Sequence, residues 1–330
     1  MEGTRVFILL ATYNGAKYIR EQIESIRAQS WRHWALLVRD DGSTDGTPDL
    51  LADMARQDGR ISVVAKTDAD GGPGVISNFG RLIQVAANEG AEYALFCDQD
   101  DVWLPNKIDV LMGEMRRAES AVGNELPLLV YSDLKVVDDQ LDQISPSFMK
   151  FQGIRHETEA PLRVLLPQNF VTGCAALFNR PLLDLAVPLP PDVIMHDWWL
   201  ALLAASAGEI RFVREPLVLY RQHGNNQVGA KPLWARELSL RGIVERIRRD
   251  QGDQGFRAGV NQAKMLAARL CERDVRVVGG AQDLIQFYTG LHTISRYARW
   301  RGALKLRIGP QHPIRRAAFF ARLMRTPRPA

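Results

Sequence analysis

The chain of 330 residues is 46% hydrophobic and 24% charged and carries a net charge of +4, values that are ordinary for a soluble globular protein with a sizeable core. Its length accommodates one large α/β domain with an appendage, or two modest domains. The three cysteines are odd in number and widely spaced, which excludes a disulfide framework and a cysteine-based metal site and indicates a reducing compartment. No apolar run approaches the roughly 18 residues that a spanning helix needs, and the N-terminus has no signal-peptide layout. We therefore expect a cytoplasmic protein.

The charges are unevenly distributed along the chain. Residues 1–230 contain 21 Lys and Arg against 31 Asp and Glu, whereas residues 231–330 contain 21 against 7. This change predicts a boundary between a domain of residues 1–230 and a basic, mainly helical C-terminal region of residues 231–330. The excess of cations in the second part indicates an anionic partner.

The first part of the chain alternates apolar strands with amphipathic helices. Val6–Ala11 is a continuous apolar run, typical of a central parallel strand buried on both faces. Further strands are predicted at 34–38, 61–64, 93–97, 128–131, 169–179 and 217–219, and helices at 18–30, 48–56 and 196–207. This alternation implies right-handed crossovers and a doubly wound α/β sheet.

The strand that begins at Tyr93 ends directly in three carboxylates within four positions, Asp98, Asp100 and Asp101. Carboxylates this close repel each other unless a cation or a shared proton compensates. Oxygen ligands of this kind suit Mg²⁺ or Mn²⁺, which often also bind substrate phosphates. The Asp-x-Asp spacing alone is weak evidence, since a second copy at 68–70 leads into a glycine-rich turn. Only the first copy lies at the carboxyl end of an apolar strand, where open α/β sheets bind ligands.

Polar loops also follow the first two strands, as Thr12-Tyr13-Asn14 and as the segment 40–45. The second loop is explained equally well by a turn and a helix cap, because Asp, Gly, Ser and Thr favour such positions. Three polar loops at one edge of a sheet favour a nucleotide pocket. The sequence lacks the glycine motifs of dinucleotide-binding enzymes and of P-loop ATPases, which argues against both classes of protein.

These loops together resemble family 2 glycosyltransferases, which have the GT-A fold, a doubly wound mixed sheet of nucleotide-diphospho-sugar transferases. The string Asp-Gln-Asp-Asp-Val-Trp-Leu-Pro from Asp98 is similar to the rhamnosyltransferase-like branch. The resemblance covers residues 5–230 and implies that Thr12, Tyr13, Asn14, Asp41 and Asn78 bind the donor. Asn78 belongs to the glycine-rich segment 71–79; the matching segment of the family is a loop that closes over the nucleotide, and a flexible connection is the alternative. Asp41 would hold the base, Asp98 the sugar or ribose and Asp100 the divalent metal, with Asp101 as support.

The segment from Met195 to Leu200 opens an apolar helix with His196, Asp197, Trp198 and Trp199. An aspartate at a helix start is ordinarily a cap or a dipole partner. Tandem tryptophans favour a sugar site, because aromatic rings stack on sugars beside a carboxylate that accepts a hydroxyl proton. The resemblance implies that Asp197 is the catalytic base, with His196 in place of the family's usual glutamate. By the same resemblance, Thr172 and Gly173 form the floor beneath the sugar, while Trp198 and Trp199 complete the acceptor pocket.

Arg221 and His223 follow the predicted strand 217–219, in a loop with glutamine, glycine and asparagine. A lone histidine is more often a packing or surface residue. The polar loop and the family resemblance indicate that His223 contacts the metal or the diphosphate, and that Arg221 neutralises phosphate charge.

The sequence therefore predicts an inverting, metal-dependent glycosyltransferase, because it offers one base and no positioned nucleophile. The resemblance to the rhamnosyltransferase-like branch favours dTDP-L-rhamnose as the donor. The expected acceptor is a saccharide or lipid-linked saccharide in cell-surface polysaccharide synthesis. A UDP-hexose donor, a nucleotidyltransferase and a non-catalytic scaffold stay open as alternatives.

The basic C-terminal region mixes bulky apolar residues with cations, as at 304–308 and 314–325. This composition fits a peripheral helix on an anionic membrane, such as the inner face of the cell membrane. A solvated basic face packed on the core explains it equally well. Nucleic-acid binding is not expected, because the N-terminal domain is acidic and shows no such motif.

Overall fold

The computed structural model describes residues 3–66, 72–223 and 251–325, apart from the side chains of residues 251–253. The predicted α/β architecture is confirmed, with strands and helices alternating through the first half of the chain. The strands are β1 (Val6–Thr12), β2 (Trp34–Asp40), β3 (Ile61–Val63), β4 (Tyr93–Cys97), β5 (Val102–Trp103), β6 (Leu128–Val137), β7 (Gln143–Ser145), β8 (Ala176–Asn179) and β9 (Glu209–Arg221).

Helices lie between and after these strands. Those of the first 223 residues are α1 (Ile19–Arg27), α2 (Thr47–Gln57), α3 (Val75–Asn88), α4 (Lys107–Val122), α5 (Phe148–Gln152), α6 (Pro161–Leu165), α7 (Arg180–Ala186) and α8 (His196–Ala207). The C-terminal helices are α9 (Gln251–Glu272), α10 (Ala281–Thr289), α11 (Arg296–Lys305) and α12 (Pro313–Arg325). Within the described parts of the chain, no helix has both the length and the apolar character needed to cross a bilayer.

The sheet is mixed, with the strand order β3-β2-β1-β4-β8-β6-β9-β5 and β7 paired to β6. Strands β3, β2, β1 and β4 run parallel, so their carboxyl ends share one edge. The chain moves outwards from β1 to β2 on one side and to β4 on the other, which makes the gap between β1 and β4 a topological switch point. Ligands bind at such points in open α/β sheets.

The second half of the sheet brings a distant segment to the same edge. Strand β8 runs antiparallel between β4 and β6, and β9 pairs in parallel with β6. The short strand β5, which follows the acidic loop, pairs with β9 through Val102 opposite Leu219. The end of β9 therefore lies beside the acidic loop, although about 120 residues separate them in sequence.

Two hydrophobic cores cover the two faces of the sheet, as the continuous apolar runs of β1 and β2 require. Alternate residues of β1 face opposite ways: Val6 and Ile8 pack with helices α1, α2 and α4, while Phe7 and Leu9 pack with α3, α7 and α8. The C-terminal helices add residues such as Phe256 and Leu266 to the second of these cores.

Two sequence predictions need adjustment here. The predicted strand 169–179 is shorter, since Gly173–Ala175 forms a 3₁₀ turn and β8 begins only at Ala176. The predicted domain boundary at residue 230 stays a prediction, because residues 224–250 lie outside the described structure. The described C-terminal residues form helices, as predicted, and pack on the sheet domain.

Candidate active site

The loops after β1 and β2 are tied together by hydrogen bonds between their backbones and side chains. The Asn14 N–H donates to Ser43 Oγ over 2.7 Å, and the Thr44 N–H donates to Asn14 Oδ1 over 2.9 Å. Asn14 has a φ of 48°, a conformation that asparagine tolerates better than most residues. The two loops are thereby fixed as one rim, on which Asn14 and Tyr13 are exposed.

Gln99, in the middle of the acidic loop, joins this rim to β4. Its Oε1 accepts from Thr12 Oγ1 over 2.6 Å and from the Tyr13 N–H over 2.9 Å. Its Nε2 donates to the Tyr13 carbonyl over 3.1 Å. The predicted donor-binding residue Thr12 is buried, so it supports the rim, whereas Tyr13 presents an accessible ring. Sequence reasoning missed Gln99, whose place between two acids was its only signal.

Asp41 lies at the other end of the rim with only one carboxylate oxygen engaged in a hydrogen bond. Its Oδ2 accepts from the Gly74 N–H over 2.7 Å. Its Oδ1 is buried and has no hydrogen-bond partner among the described residues; Lys66 Nζ lies 3.8 Å away. A buried carboxylate oxygen without a partner is costly, and a ligand N–H would satisfy it.

Asp98, Asp101 and Cys174 form a cluster whose potential ligand atoms all lie within 4.8 Å of one another. Burial, reinforced by the charges of Asp100 and Asp197, raises the pKa of Asp98 to about 7. Burial also raises the pKa of the Cys174 thiol well above its usual range, so the sulfur stays protonated and is a poor metal ligand. The sequence had excluded the cysteines from metal chemistry, and Cys174 nonetheless lies against the acids.

The donor set fits a hard divalent cation. Asp101 Oδ2 is buried without a hydrogen-bond partner among the described residues, and mutual repulsion among the carboxylates would be relieved by a positive ion. Asp100 Oδ2 lies 2.8 Å from His223 Nε2, which places the two predicted metal ligands together. Carboxylate oxygens are ligands that suit Mg²⁺ or Mn²⁺.

Lys107, on the first turn of α4, is a buried cation beneath the acidic cluster. Its Nζ donates to the Cys174 carbonyl over 2.6 Å and lies 3.3 Å from the centroid of the Trp103 ring. Burial lowers the pKa of Lys107 to about 8, and the charges of Asp101 and Asp98 oppose that change. A fully buried ammonium is rare without such partners. Lys107 therefore offsets part of the acidic charge from inside the core.

Arg221 has a role that differs from the predicted phosphate contact. Its side chain is 3% exposed, its Nε donates to the Asp100 carbonyl over 3.0 Å, and its other nitrogens bond to Glu21 and to the Asp139 carbonyl. The guanidinium thus holds the backbone of the acidic loop against α1. In this structure it supports the site from behind, and the prediction of a direct donor contact needs correction.

His223 is held by Tyr18 as well as by Asp100. The Tyr18 and His223 rings stack with centroids 4.8 Å apart, and the Arg221 guanidinium lies 4.9 Å from the Tyr18 centroid. Tyr18 was read in the sequence only as a helix position, because an aromatic residue at helical spacing gives no signal for a site. The structure places it as the platform beneath the predicted metal-binding histidine.

Asp197, the predicted base, is partly buried at the start of α8 and accepts three hydrogen bonds. Its Oδ2 accepts from the Gly173 N–H over 3.0 Å, and its Oδ1 accepts from the Trp198 N–H over 2.6 Å and from Asn169 Nδ2 over 3.3 Å. Burial raises the pKa of Asp197 to about 6, although the backbone donors act in the opposite direction. A carboxylate with such a pKa suits proton transfer near neutral pH.

The residues around Asp197 differ in their access to the site. Thr172 and Trp198 are partly exposed, and Trp198 Nε1 donates to the Leu165 carbonyl over 2.6 Å. Trp199 is fully buried in the hydrophobic core, so it offers no ring to a sugar and its predicted pocket role needs correction. Helix α8 is buried on all sides from Trp199 to Ala207, so Trp199 lies in the core, whereas Trp198, in the first turn, lies at its edge.

Asn78 is likewise buried, and its Oδ1 accepts a hydrogen bond from the Arg39 guanidinium. Because α3 begins at Val75, Asn78 lies inside a helix and not in the predicted loop over the donor. Its predicted donor contact needs correction, since it anchors α3 to the end of β2.

The structure thus gathers most of the predicted site around one edge of the sheet. Burial and the charges of Asp100 and Asp197 raise the pKa of Asp98, Asp100 contacts His223, and the Asp41 N–H donates to the Thr12 carbonyl over 2.9 Å. The folded chain therefore presents a polar rim on one side and the partly buried Asp197 carboxylate on the other. This arrangement defines an α/β enzyme of the GT-A type.

Comparisons with known proteins agree. The model of glycosyl transferase family 2 matches residues 7–184, more than half of the chain, and the chain therefore belongs to this family of glycosyltransferases. It is 27% identical over 244 residues to "dTDP-rhamnosyl transferase RfbG" of Shigella flexneri, covering 71% of this chain and 78% of that protein. It is 35% identical over 233 residues to "Putative glycosyltransferase EpsH" of Bacillus subtilis, covering 68% and 62% respectively.

Among solved structures, the crystal structure of S. aureus TarS 1-349 aligns with a TM-score of 0.51 at 18% identity, covering 89% of this chain and 73% of that one. The likeness at this identity concerns the fold, and it confirms the predicted GT-A architecture.

Proposed function

We propose that this glycosyltransferase transfers a sugar from a nucleotide diphosphate with inversion, using Asp197 as the general base. The observation that carries the proposal is the Asp197 carboxylate, fixed by three hydrogen bonds and electrostatically coupled to the acidic loop through Asp98. The carboxylates near Asp197 belong to the acidic loop, and the proposal assigns them to the metal and the donor. One base without a nucleophile supports a single displacement.

The residues of the site divide the reaction between them. Asp197 accepts the proton of the acceptor hydroxyl as that oxygen forms a bond to the anomeric carbon, while the bond from that carbon to the diphosphate breaks and the nucleoside diphosphate leaves. Asp41 accepts an N–H of the base through its free Oδ1, and Asn14 and Tyr13 line the rim on which the nucleoside rests. Asp100 and His223 would hold Mg²⁺ or Mn²⁺, which would neutralise charge on the diphosphate, and Asp98 would bind the sugar or the ribose. Thr172 and Gly173 form the floor beneath the sugar.

For the donor, we propose dTDP-L-rhamnose, with a UDP-hexose as the second candidate. The name of the Shigella flexneri relative supports the first choice. Both nucleotides present a base N–H that Asp41 can bind, so Asp41 does not separate them. The acceptor is a saccharide or a lipid-linked saccharide of the cell surface, reached from the cytoplasmic side. Membership of the family sets the nucleotidyltransferase and scaffold alternatives aside.

The test is a panel of dTDP- and UDP-sugars with Mn²⁺, read out by isothermal titration and by transfer to saccharide acceptors. Asp41→Asn keeps an oxygen for the Gly74 N–H but lacks the carboxylate charge. We expect it to weaken donor binding about 10- to 100-fold, as loss of a charge-assisted hydrogen bond does. Asp53→Asn, a change of the same charge at a half-exposed position on α2, is the matched control. Equal donor affinity in both variants would remove Asp41 from the donor site.

A further inference from the structure

Helix α11 has one side that packs against the rest of the protein and an opposite side that is exposed. Arg299 and Ala303 on one side are buried. Gly302 lies so close to α10 that a Cβ atom added there would stand 2.1 Å from the Phe287 ring. Only a residue without a side chain permits this approach. The rotation of α11 about its axis is therefore fixed, and the opposite side must face outwards.

That outward side carries three large apolar residues. Tyr297, Trp300 and Leu304 are 59%, 38% and 43% exposed. Their spacing of three and four residues places them on one side of the helix. The Tyr297 and Trp300 rings stack with centroids 6.5 Å apart. Exposed apolar groups that are contiguous mark an interaction surface, whereas scattered ones need no explanation.

Cations surround these three residues. Arg296, Arg301 and Lys305 on α11 and Arg307 just after it are exposed, and none of the four forms an ion pair with another described residue. The Arg301 guanidinium lies 5.6 Å from the Tyr297 centroid. Residues 284–330 contain ten Lys and Arg and no Asp or Glu. No acidic residue in this stretch of the sequence balances the positive charge of α11. An anionic partner would complement that charge.

We propose that the outward side of α11 is a membrane-docking surface, which binds the anionic headgroups of a lipid bilayer. Tyrosine and tryptophan favour the membrane interface because their rings combine an apolar body with a polar edge. Lys and Arg near an anionic bilayer are attracted to its surface charge, and four cations beside three apolar side chains supply both the electrostatic and the hydrophobic part of interfacial binding. The sequence prediction placed the contact in the segments 304–308 and 314–325; the proposed surface shares Leu304, Lys305 and Arg307 with the first segment and adds Tyr297 and Trp300.

The C-terminal region also contacts the segment that leads to the candidate active site. Gln311 accepts a hydrogen bond from the Arg155 N–H over 2.9 Å and donates to the Arg155 carbonyl over 2.6 Å. The Gln311 N–H donates to Gln168 Oε1 over 3.2 Å, and Asn169 next to it contacts Asp197. Docking through α11 would therefore hold Asp197 in a defined position relative to the membrane. The use of that position in catalysis rests on the proposed function, in which Asp197 is the base.

The test is flotation of the full-length protein with vesicles of phosphatidylcholine alone or mixed with phosphatidylglycerol. We expect binding to the mixed vesicles that decreases with salt, and at least about a tenfold loss of partitioning in Tyr297→Ser/Trp300→Ser and in Arg301→Glu/Lys305→Glu. The control is Val63→Ser/Ile144→Ser, which removes two residues that are 45% and 48% exposed elsewhere. Thermal melts confirm that each variant is folded.

Unchanged flotation of both α11 variants would overturn the proposal, as would equal binding to neutral and anionic vesicles. If the α11 side binds a protein instead, the wild type fails to float with either vesicle. Transfer to a soluble saccharide acceptor is measured in parallel and should be equal in all variants. A failure of membrane binding is thereby distinguished from a failure of the proposed transferase activity, because the two are measured separately on the same preparation.

Discussion

Gly173 donates its backbone N–H to Oδ2 of Asp197, and there is no room for a side chain between them. A Cβ atom at position 173 would lie 3.1 Å from both Asp197 Cβ and His196 Nε2. His196 cannot move aside easily, because its buried ring is stacked on Phe79 with centroids 3.8 Å apart and meets Phe96 edge to face. The position of the base is thus set by a glycine and by an aromatic stack.

Gly173→Ala should therefore displace Asp197 and lower kcat by about 10- to 100-fold, since small misplacements of a reacting group have effects of that size. The Kd for the free nucleoside diphosphate should change little, because the rim that binds the nucleoside lies on other loops. Steady-state kinetics and titration with the nucleoside diphosphate check this split. Gly113→Ala in α4, where an added Cβ meets nothing within 4 Å, is the matched control and should leave both parameters unchanged.

The rate of transfer should rise with pH through about 6, because burial raises the pKa of Asp197 to about 6. Only the ionised carboxylate accepts a proton, so kcat/KM should fall tenfold for each pH unit below that value. Asn169→Ala removes a donor that stabilises the ionised form and should move the midpoint to higher pH. A profile of log kcat/KM against pH for both proteins measures the displacement; coincident midpoints would contradict it.

Lys107→Met should destabilise the fold by about 3–5 kcal/mol, the usual effect of removing one member of a buried charged group. The substitution leaves the carbonyl of Cys174 without its donor and the acidic cluster without its internal cation. Urea unfolding followed by fluorescence gives the free energy. Lys150→Met, which removes an exposed lysine, serves for comparison and should stay within about 0.5 kcal/mol of the wild type.

Trp199→Ala should lower the free energy of unfolding by about 3–5 kcal/mol, as large-to-small changes in a core do. Because the ring is buried away from the site, the KM for a saccharide acceptor should be unaltered in the folded protein. Trp198→Ala, at a partly exposed position, should instead raise that KM. The free energy of unfolding and the acceptor KM of both variants distinguish a core tryptophan from a pocket tryptophan. A changed acceptor KM in Trp199→Ala would contradict the assignment of Trp199 to the core.

Binding of the divalent metal, and the activity that depends on it, should require Asp100. Chelation with EDTA is expected to abolish transfer and Mn²⁺ to restore it, and Asp100→Asn should weaken Mn²⁺ binding by more than about tenfold. Titration of free Mn²⁺ by electron paramagnetic resonance gives the affinity directly. Asp138→Asn, one residue from the Asp139 that contacts Lys17, changes charge near the site without entering it. Equal affinity in both variants would remove Asp100 from the metal site.

Sequence patterns located the site well because its acids stand at the ends of apolar strands. Asp41 and Asp98 could be assigned to one edge of the sheet from strand order alone, since parallel strands share an edge. Side-chain direction was beyond the pattern: Trp198 and Trp199 are adjacent letters, yet one lies near the base and the other in the core. Asn78 was assigned to a loop because the start of α3 carries no strong cap signal.

The residues that escaped prediction are those whose role depends on partners far along the chain. Tyr18, Gln99 and Lys107 each act through contacts with segments many residues away. A buried lysine after a proline reads as an ordinary helix start, and only the fold reveals the carbonyl of Cys174 above it. Long-range pairing of this kind leaves no local periodicity, so composition and spacing cannot report it.

The common core of the C-terminal helices and the sheet has a consequence for exchanging parts between related transferases. Phe256 and Leu266 of α9 pack in the same cluster as Leu200 and Leu203 of α8, the helix that begins with the base. A chimera joined near residue 230 would pair α8 with a foreign surface and disturb the chemistry it was meant to preserve. Recombination should instead carry α8 and α9 across together, as one inherited block.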